Sequence, residues 1–232
     1  MPEARDNGNY FTRSLYSMVP ASAVSAGLYG YSYALQADAR RPQYSNLVKK
    51  LQSMGKSGAM YGMPEDLKFY NMDVSKNPYT SPLNPFTSAH YNPQTKTVQT
   101  AQRGTRPDAG LLAHELGHAR QYADPRYKGF NKLAGLSRGA SMFSTLPLMF
   151  ADSPDTAKKA TTATTIAGLP VFAQEVDASL KGRWLLSQAA KQSGQKLGLM
   201  GQLAPFKGVP SYLLALALPY ITYKYLSAKE KY

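Results

Sequence analysis

The chain has 232 residues, no cysteine, and a formal net charge of +13 from 27 basic and 14 acidic residues. This length allows one sizeable domain with a hydrophobic core. Without cysteine the chain has no disulfides, thiolate metal ligands or cysteine nucleophiles, so any metal site must use His, Asp or Glu. The positive charge predicts attraction to anionic surfaces such as lipid headgroups, nucleic acid or acidic partners.

The N-terminal part of the chain is predicted to be helical. Residues 14–37 carry no charge and are rich in small side chains, and residues 40–56 have the pattern of a basic amphipathic helix. We therefore expect an N-terminal helical segment over 14–56, appended to a core that spans about 60–192.

Short strands are predicted before the centre of the chain. Leu67 to Met72 have the composition of a strand, and a proline-rich surface loop follows over 75–86. Residues 87–91 and 95–100 flank the turn sequence Asn92-Pro93-Gln94, which predicts a β-hairpin. This hairpin leads directly into the next helix.

A helix is predicted from about 107 to 123. Pro107 suits the first helical turn, Asp108 complements the helix dipole, and Pro125 ends the helix. Within it lies His114-Glu115-Leu116-Gly117-His118, which places two imidazoles four residues apart on one helix face. The motif predicts a metal site.

Zinc is the expected metal, because it accepts imidazole and carboxylate ligands and in catalytic sites keeps one position for water. Glu115, next to His114, is expected to accept a proton from that water as general base and later to deliver it as general acid. The motif therefore predicts hydrolysis of a peptide bond.

The elements after the motif are predicted to be helical and largely apolar. Residues 133–151 and 156–168 form a hydrophobic αα-hairpin, and Pro170 opens a further helix that runs to about Gln192. A hydrophobic helix over 209–228 ends the chain. None of the uncharged runs is a clear transmembrane helix.

A catalytic zinc site needs a third protein ligand, and no histidine follows His118. The candidates are His90, Asp124, Asp152, Asp155, Glu175, Asp177 and Glu230. We rank Glu175 first, because small residues follow it on the same helix face, at Ala178, Ser179 and Gly182, and allow close approach to the motif helix. A glutamate buried there needs a compensating cation.

Asp124 is the main rival. A ligand six residues after the second histidine is another zinc-peptidase spacing, but that arrangement has glycine where this chain has Gln121. We therefore expect Asp124 to cap or end the helix. His90 and Arg183 are weaker candidates for stabilising the oxyanion or orienting a ligand, and His90 is expected to be a surface or packing residue.

These segments resemble the gluzincin zinc metallopeptidases, especially membrane-associated neutral zinc peptidases. The resemblance rests on Ala113 to Ala119 around the motif and on Glu175-Val176-Asp177-Ala178-Ser179, and covers roughly residues 87–185. It implies zinc-dependent peptide hydrolysis, with His114, His118 and Glu175 as metal ligands and Glu115 as base. Other gluzincins have an aspartate, which orients a histidine, where this chain has Ser179.

The sequence thus predicts a predominantly helical α+β fold as a single domain over 1–232. It has a zincin-like core, with a small β-hairpin before the motif helix. The expected function is that of a zinc endopeptidase acting on protein or peptide substrates near a membrane or within an assembly. The alternative is a structural, virion- or envelope-associated protein whose basic surface contacts nucleic acid or lipid. A specific nucleic-acid ligand is not expected, because no binding signature is present.

Overall fold

The structure, a computed structural model, describes residues 45–73, 89–103, 106–142 and 153–229. These residues form an α+β fold that is predominantly helical with one small sheet, as predicted. The predicted helix over 14–37 and the proline-rich loop over 75–86 lie outside the described residues.

The chain divides into two compact units. The first unit contains the described residues within 29–132 and 173–210, and the second contains those within 133–172 and 211–229. Three of the helices contribute residues to both units. The single domain over 1–232 stays a prediction.

The first unit contains helix α1 (Ser45–Lys56) and a sheet of strands β1 (Lys68–Asp73), β2 (Ala89–Asn92), β3 (Thr97–Arg103) and β4 (Arg106–Pro107). The sheet order is β1-β3-β2, with the two-residue strand β4 also paired to β3. β1 runs parallel to β3, while β2 and β4 run antiparallel to it. The amphipathic helix and the first predicted strand are confirmed.

The predicted β-hairpin is formed by β2 and β3. Its turn is closed by the Asn92 side chain, whose Oδ1 accepts hydrogen bonds from the backbone amides of Gln94 (2.9 Å) and Thr95 (3.2 Å). This Asx-turn explains why the sequence Asn-Pro-Gln reverses the chain here. In β3, Val98 and Thr100 are buried while Thr97 and Gln99 are half-buried, as expected of a strand with one face toward the core.

The motif helix, α2, spans Ala109–Ala123. Asp108 is its N-cap, and its Oδ1 accepts a hydrogen bond of 2.9 Å from the Leu111 amide. The prediction that Pro107 lies in the first helical turn is wrong, because Pro107 belongs to β4 and pairs with Gln102. The pairing extends the sheet to the residue before the cap.

Helix α3 spans Lys128–Met142 and helix α4 spans Pro154–Gln192. The prediction that a new helix begins at Pro170 is wrong, because α4 continues through that residue. The segment predicted as the second helix of the hairpin is therefore part of the same helix as Glu175. Proline removes one backbone hydrogen bond from a helix interior. Here Gly168 and Val171, close to Pro170 on either side, are buried in packing contacts. Residues 143–151 of the predicted hairpin lie outside the described residues.

The first unit continues with the short helix α5 (Leu199–Leu203) and the 3-10 turn Ala204–Phe206. Its core is made of fully buried side chains from three helices and β3. They include Leu47, Leu51, Val98, Leu112, Leu116, Leu185 and Leu186. Burial of each such side chain contributes about 1.5–3 kcal/mol, so this core fixes the motif helix firmly.

The second unit contains most of α3, the N-terminal part of α4 and helix α6 (Val209–Lys229). Thr161 and Thr165 of α4 donate hydrogen bonds to the carbonyl oxygens of Pro219 (3.4 Å) and Leu216 (3.5 Å) of α6. Gly168 packs against the Leu216 side chain. Within the part of the chain that the structure describes, no helix combines the length and apolar character needed to cross a bilayer.

Candidate metal centre

Two helices cross closely where the predicted metal ligands lie. A Cβ atom added to Gly117 of α2 would overlap the Ala178 carbonyl of α4, and one added to Gly182 of α4 would lie 2.5 Å from the Ala113 carbonyl oxygen of α2. The expectation of close approach through small residues is therefore confirmed. The crossing brings residues about 60 positions apart in the sequence into contact.

His114, His118 and Glu175 meet at this crossing. The Glu175 Oε2 atom lies 3.2 Å from His114 Nε2 and 3.3 Å from His118 Nε2. The exposed fractions of the three residues are 9%, 7% and 3%. One ligand atom from each lies within 4.8 Å of the other two, so the group could hold a metal ion.

Ser179 orients the His114 ring. Its Oγ lies 3.0 Å from His114 Nδ1, and also within hydrogen-bond distance of the carbonyl oxygens of Glu175 (2.8 Å) and Pro205 (3.0 Å). Because carbonyl oxygens only accept, the single hydroxyl proton is donated to one of them. Ser179 then accepts from Nδ1, which leaves the Nε2 lone pair of His114 for the metal position.

Gln121 orients the ring of His118. Its Nε2 donates to the Gln174 carbonyl (2.8 Å) and to Asp177 Oδ2 (2.7 Å), both of which only accept. The amide is thereby fixed with Oε1 toward His118 Nδ1, at 2.9 Å. His118 therefore donates from Nδ1, and its Nε2 lone pair also points toward Glu175.

A further ring of contacts supports these two residues. Asp177 pairs with Lys181 and lies 3.4 Å from the Tyr127 hydroxyl, and Lys181 also lies over the Tyr127 ring. Gln174 donates to Asn131 Oδ1 at 2.9 Å. Partners of this kind fix ligand orientation in metal sites.

The two imidazole nitrogens and the carboxylate oxygen that converge here need a positive charge between them. Two imidazole nitrogens with lone pairs and a carboxylate oxygen repel one another unless the rings take a second proton or a cation lies among them. Burial tends to raise the pKa of Glu175, but when the two rings carry the second proton, hydrogen bonds and charge from His114 and His118 outweigh this and hold that pKa well below its usual range. Glu175 is therefore ionised, as a metal ligand must be.

Glu115 lies beside the ligands on α2 and is 5% exposed. The start of its helix is held by a buried ion pair of 2.7 Å between Lys207 Nζ and Asp108 Oδ2. Gly110 packs against Ala204, in the same 3-10 turn whose Pro205 carbonyl contacts Ser179. This turn joins both ligand-bearing helices.

The rival candidates are engaged elsewhere. Asp124 is the C-cap of α2 and pairs with Arg126 at 2.7 Å; the hydrogen bonds from Arg126 lower the pKa of Asp124 to about 2. His90 is exposed on β2, and Arg183 donates to Gln202. Asp155 pairs with Lys159. Two further candidates, Asp152 and Glu230, lie outside the described residues.

Sequence reasoning missed Gln121 and Lys207. In the sequence, Gln121 stands out only because another zinc-peptidase spacing has glycine at that position. Its position three residues after His118 also places its side chain within reach of that ring. Lys207 gave no local signal, since its partner Asp108 lies 99 residues away.

Comparison with protein-family models, with curated proteins and with solved structures gave no match.

Proposed function

We propose that this protein is a zinc-dependent endopeptidase of gluzincin type. The observation that carries the proposal is the convergence of His114 Nε2, His118 Nε2 and Glu175 Oε2, next to Glu115, at a crossing of two buried helices. The hairpin, motif helix and third-ligand helix follow one another in the order expected of a zincin-like core.

Zinc is the metal that fits these donors best. It binds imidazole nitrogen and carboxylate oxygen at about 2.0–2.2 Å in tetrahedral geometry, so two of its ligand atoms are separated by about 3.3 Å. The nitrogen–oxygen separations of 3.2 and 3.3 Å are close to this value, and the three ligand atoms together lie within 4.8 Å of one another. Three protein ligands are also typical of catalytic rather than structural zinc sites.

When bound, zinc lowers the pKa of a coordinated water toward about 7 and polarises the scissile carbonyl. His114 and His118 are held by Ser179 and Gln121 with their Nε2 atoms toward the metal position. Glu115 accepts the proton of the attacking water and returns it to the leaving amine. The buried surroundings of Glu115 strengthen its interaction with that proton.

A peptide substrate is proposed to bind along β2. This strand lies at one end of the described sheet, so its outer backbone groups are suited to pairing with an extended peptide. The net charge of +13 further favours an anionic setting, either a membrane surface or a larger assembly. Membrane association is the expected location, and a virion or other assembly is the alternative.

The test combines metal analysis with cleavage of an unstructured protein. The chain is purified without chelator, as wild type, Glu115→Gln and the matched control Glu65→Gln, whose side chain is exposed and remote in sequence from the motif. We expect one zinc per chain in all three. We expect cleavage by wild type and Glu65→Gln, and a rate about 10²–10⁴-fold lower in Glu115→Gln.

Equal cleavage by Glu115→Gln and wild type would contradict the proposal. Protein without zinc or cleavage would favour the structural alternative, in which the chain keeps a peptidase-derived fold and contacts nucleic acid or lipid through its basic surface.

A further inference from the structure

The second unit exposes its large apolar side chains instead of burying them. Among the side chains that the structure describes in this unit, the buried hydrophobic ones are Ala134, Ala157 and Val171. Six larger apolar side chains are each 48–67% exposed, and they are Leu133, Leu136, Ile166, Leu169, Leu213 and Tyr220. The first unit, in contrast, fully buries leucines from three helices. An apolar surface of this extent marks contact with a partner or a membrane.

The contacts between the helices of this unit involve small or polar groups. Ser137 of α3 donates a hydrogen bond to the Ala167 carbonyl of α4. Thr161 and Thr165 of α4 donate to carbonyl oxygens of α6, and Gly168 packs against a leucine of α6. Hydrogen bonds from serine and threonine, together with small residues at the contact, are typical of helices that pack against each other within lipid.

The exposed apolar side chains are spread over all three described helices of the unit. α3, α4 and α6 each carry two of the six. On α4, Ile166 lies two positions before Gly168 and therefore projects from nearly the opposite side of the helix to the contact with α6. Apolar side chains on every helix fit a surrounding hydrocarbon phase better than a single protein interface.

The two longer helices of this unit have a basic end. The two threonine bonds reach successively earlier residues of α6 along α4, so these helices run antiparallel. Lys158 of α4 and Lys224 of α6, both exposed, therefore lie at the same end. The only acidic residue in the described part of this unit, Asp155, is paired with Lys159. This end of the unit consequently attracts anionic groups.

The apolar side chains lie at a different level from the lysines. The rise of a helix separates Ile166 from Lys158, and Leu213 from Lys224, by about 12–17 Å. In a bilayer about 15 Å separates the headgroups from the middle of the hydrocarbon core. Tyr220 lies between the two levels on α6, with its ring centroid 5.7 Å from Lys224 Nζ. Tyrosine is enriched at this depth, where a membrane meets water.

We propose that the second unit is embedded in the hydrocarbon of an anionic lipid membrane. Its exposed leucines and isoleucine contact acyl chains, while Lys158 and Lys224 reach the anionic headgroups. The proposal rests on the proposed membrane location and names the part of the chain that meets the lipid. It depends neither on zinc nor on peptide hydrolysis.

A fluorophore at a single position tests which unit meets the lipid. Because the chain has no cysteine, the dye NBD can be attached at one introduced cysteine. Ile166→Cys and Leu213→Cys place it in the second unit, and Leu199→Cys, also exposed, places it in the first unit as the matched control. The full chain is mixed with phosphatidylcholine–phosphatidylglycerol vesicles, with or without a doxyl quencher on the acyl chains. We expect at least about twofold quenching at positions 166 and 213, and less than about a tenth at position 199.

Flotation with vesicles measures the strength of the contact. Wild type should float with the vesicles and stay bound in about 1 M NaCl, because salt screens headgroup charges but not acyl-chain contacts. Leu136→Ser should weaken binding about tenfold, and the control Leu199→Ser less than about twofold. Lys224→Gln should weaken binding about fivefold to anionic vesicles and leave binding to pure phosphatidylcholine unchanged. Circular dichroism checks that each variant keeps its helices.

Three results would overturn the proposal. They are equal quenching at positions 166, 213 and 199, release of the chain from vesicles by salt, and a stable oligomer that does not bind vesicles. The last result would assign the exposed side chains to contact with a second copy of the chain. Zinc binding and cleavage are measured separately, so the proposed catalytic function succeeds or fails independently of these results.

Discussion

The orientation of a single side-chain amide decides which nitrogen of His118 is available. Gln121 donates from its nitrogen to the Gln174 carbonyl and to Asp177, so only its oxygen is left for the ring. Ser179 has the same effect on His114, with a hydroxyl oxygen as the acceptor for Nδ1. Asp177, two residues before Ser179, acts on His118 through Gln121.

Gln121→Met tests this role of Gln121. Methionine has a similar length but lacks both the acceptor for His118 and the donors for Gln174 and Asp177. We expect zinc affinity, measured by competition with a chromophoric chelator, to fall about 10–100-fold. The control Gln52→Met lies on α1 and should leave affinity unchanged. Equal affinity of wild type and Gln121→Met would show that His118 needs no such partner.

Glu175→Gln and Asp124→Asn distinguish the two candidate ligands. Glu175 lies with the histidines, whereas Asp124 is paired with Arg126. Glu175→Gln replaces a charged ligand with a neutral amide, and we expect the bound zinc measured after dialysis to fall from one per chain to near zero. Asp124→Asn should keep a full equivalent. The reverse result would assign the site to Asp124.

The candidate metal centre depends on how closely helices α2 and α4 approach each other. Gly117 and Gly182 each face backbone of the opposite helix, and neither leaves room for a Cβ atom. Backbone atoms cannot move aside as flexible side chains do, so the helices would have to separate. Separation would also pull Glu175 away from the two imidazoles.

Gly117→Ala and Gly182→Ala are each expected to lower the free energy of unfolding in urea by about 1–3 kcal/mol or more, and to weaken zinc binding. Gly135→Ala is the matched control, since it is also a helical glycine but has nothing within 4 Å of an added Cβ. It should instead raise stability by about 0.5–1 kcal/mol, because alanine is the better helix former. Equal effects at all three positions would mean that helix propensity, and not the crossing, dominates.

The candidate metal centre joins parts of the chain that are far apart in sequence. The candidate ligands come from α2 and α4, and the segment 204–207 that follows α5 contacts both helices through Pro205 and Lys207. A metal that binds the folded chain and not the unfolded chain therefore stabilises the fold that contains these elements.

Zinc should accordingly raise the free energy of unfolding. At a free concentration 1,000 times the dissociation constant, the expected gain is about 4 kcal/mol, and a chelator such as EDTA should remove it. Trp184 is the only tryptophan and contacts Arg120 of α2 across the helix crossing, so its fluorescence can follow unfolding. Glu175→Gln should abolish the gain. A gain that persists in this variant would place the metal elsewhere.

Local patterns in the sequence were sufficient to predict α1, β1, the β2–β3 hairpin and the motif helix. In each case the information lies within a few residues: an amphipathic period, an Asn-Pro turn or an N-cap. The prediction failed at Pro170, because whether a helix tolerates proline depends on packing around it. It also failed at Pro107, whose pairing partner Gln102 belongs to another strand.

Helical spacing and the inventory of residue types can be read from the sequence alone. They place two histidines and Glu115 on one helix and limit any third ligand to His90 or a carboxylate. Only the tertiary structure brought Glu175, and not Asp124, to the histidines, and assigned Ser179 and Gln121 to their rings. Distances between residues about 60 positions apart depend on how helices pack, and here that packing depends on the glycines at the crossing.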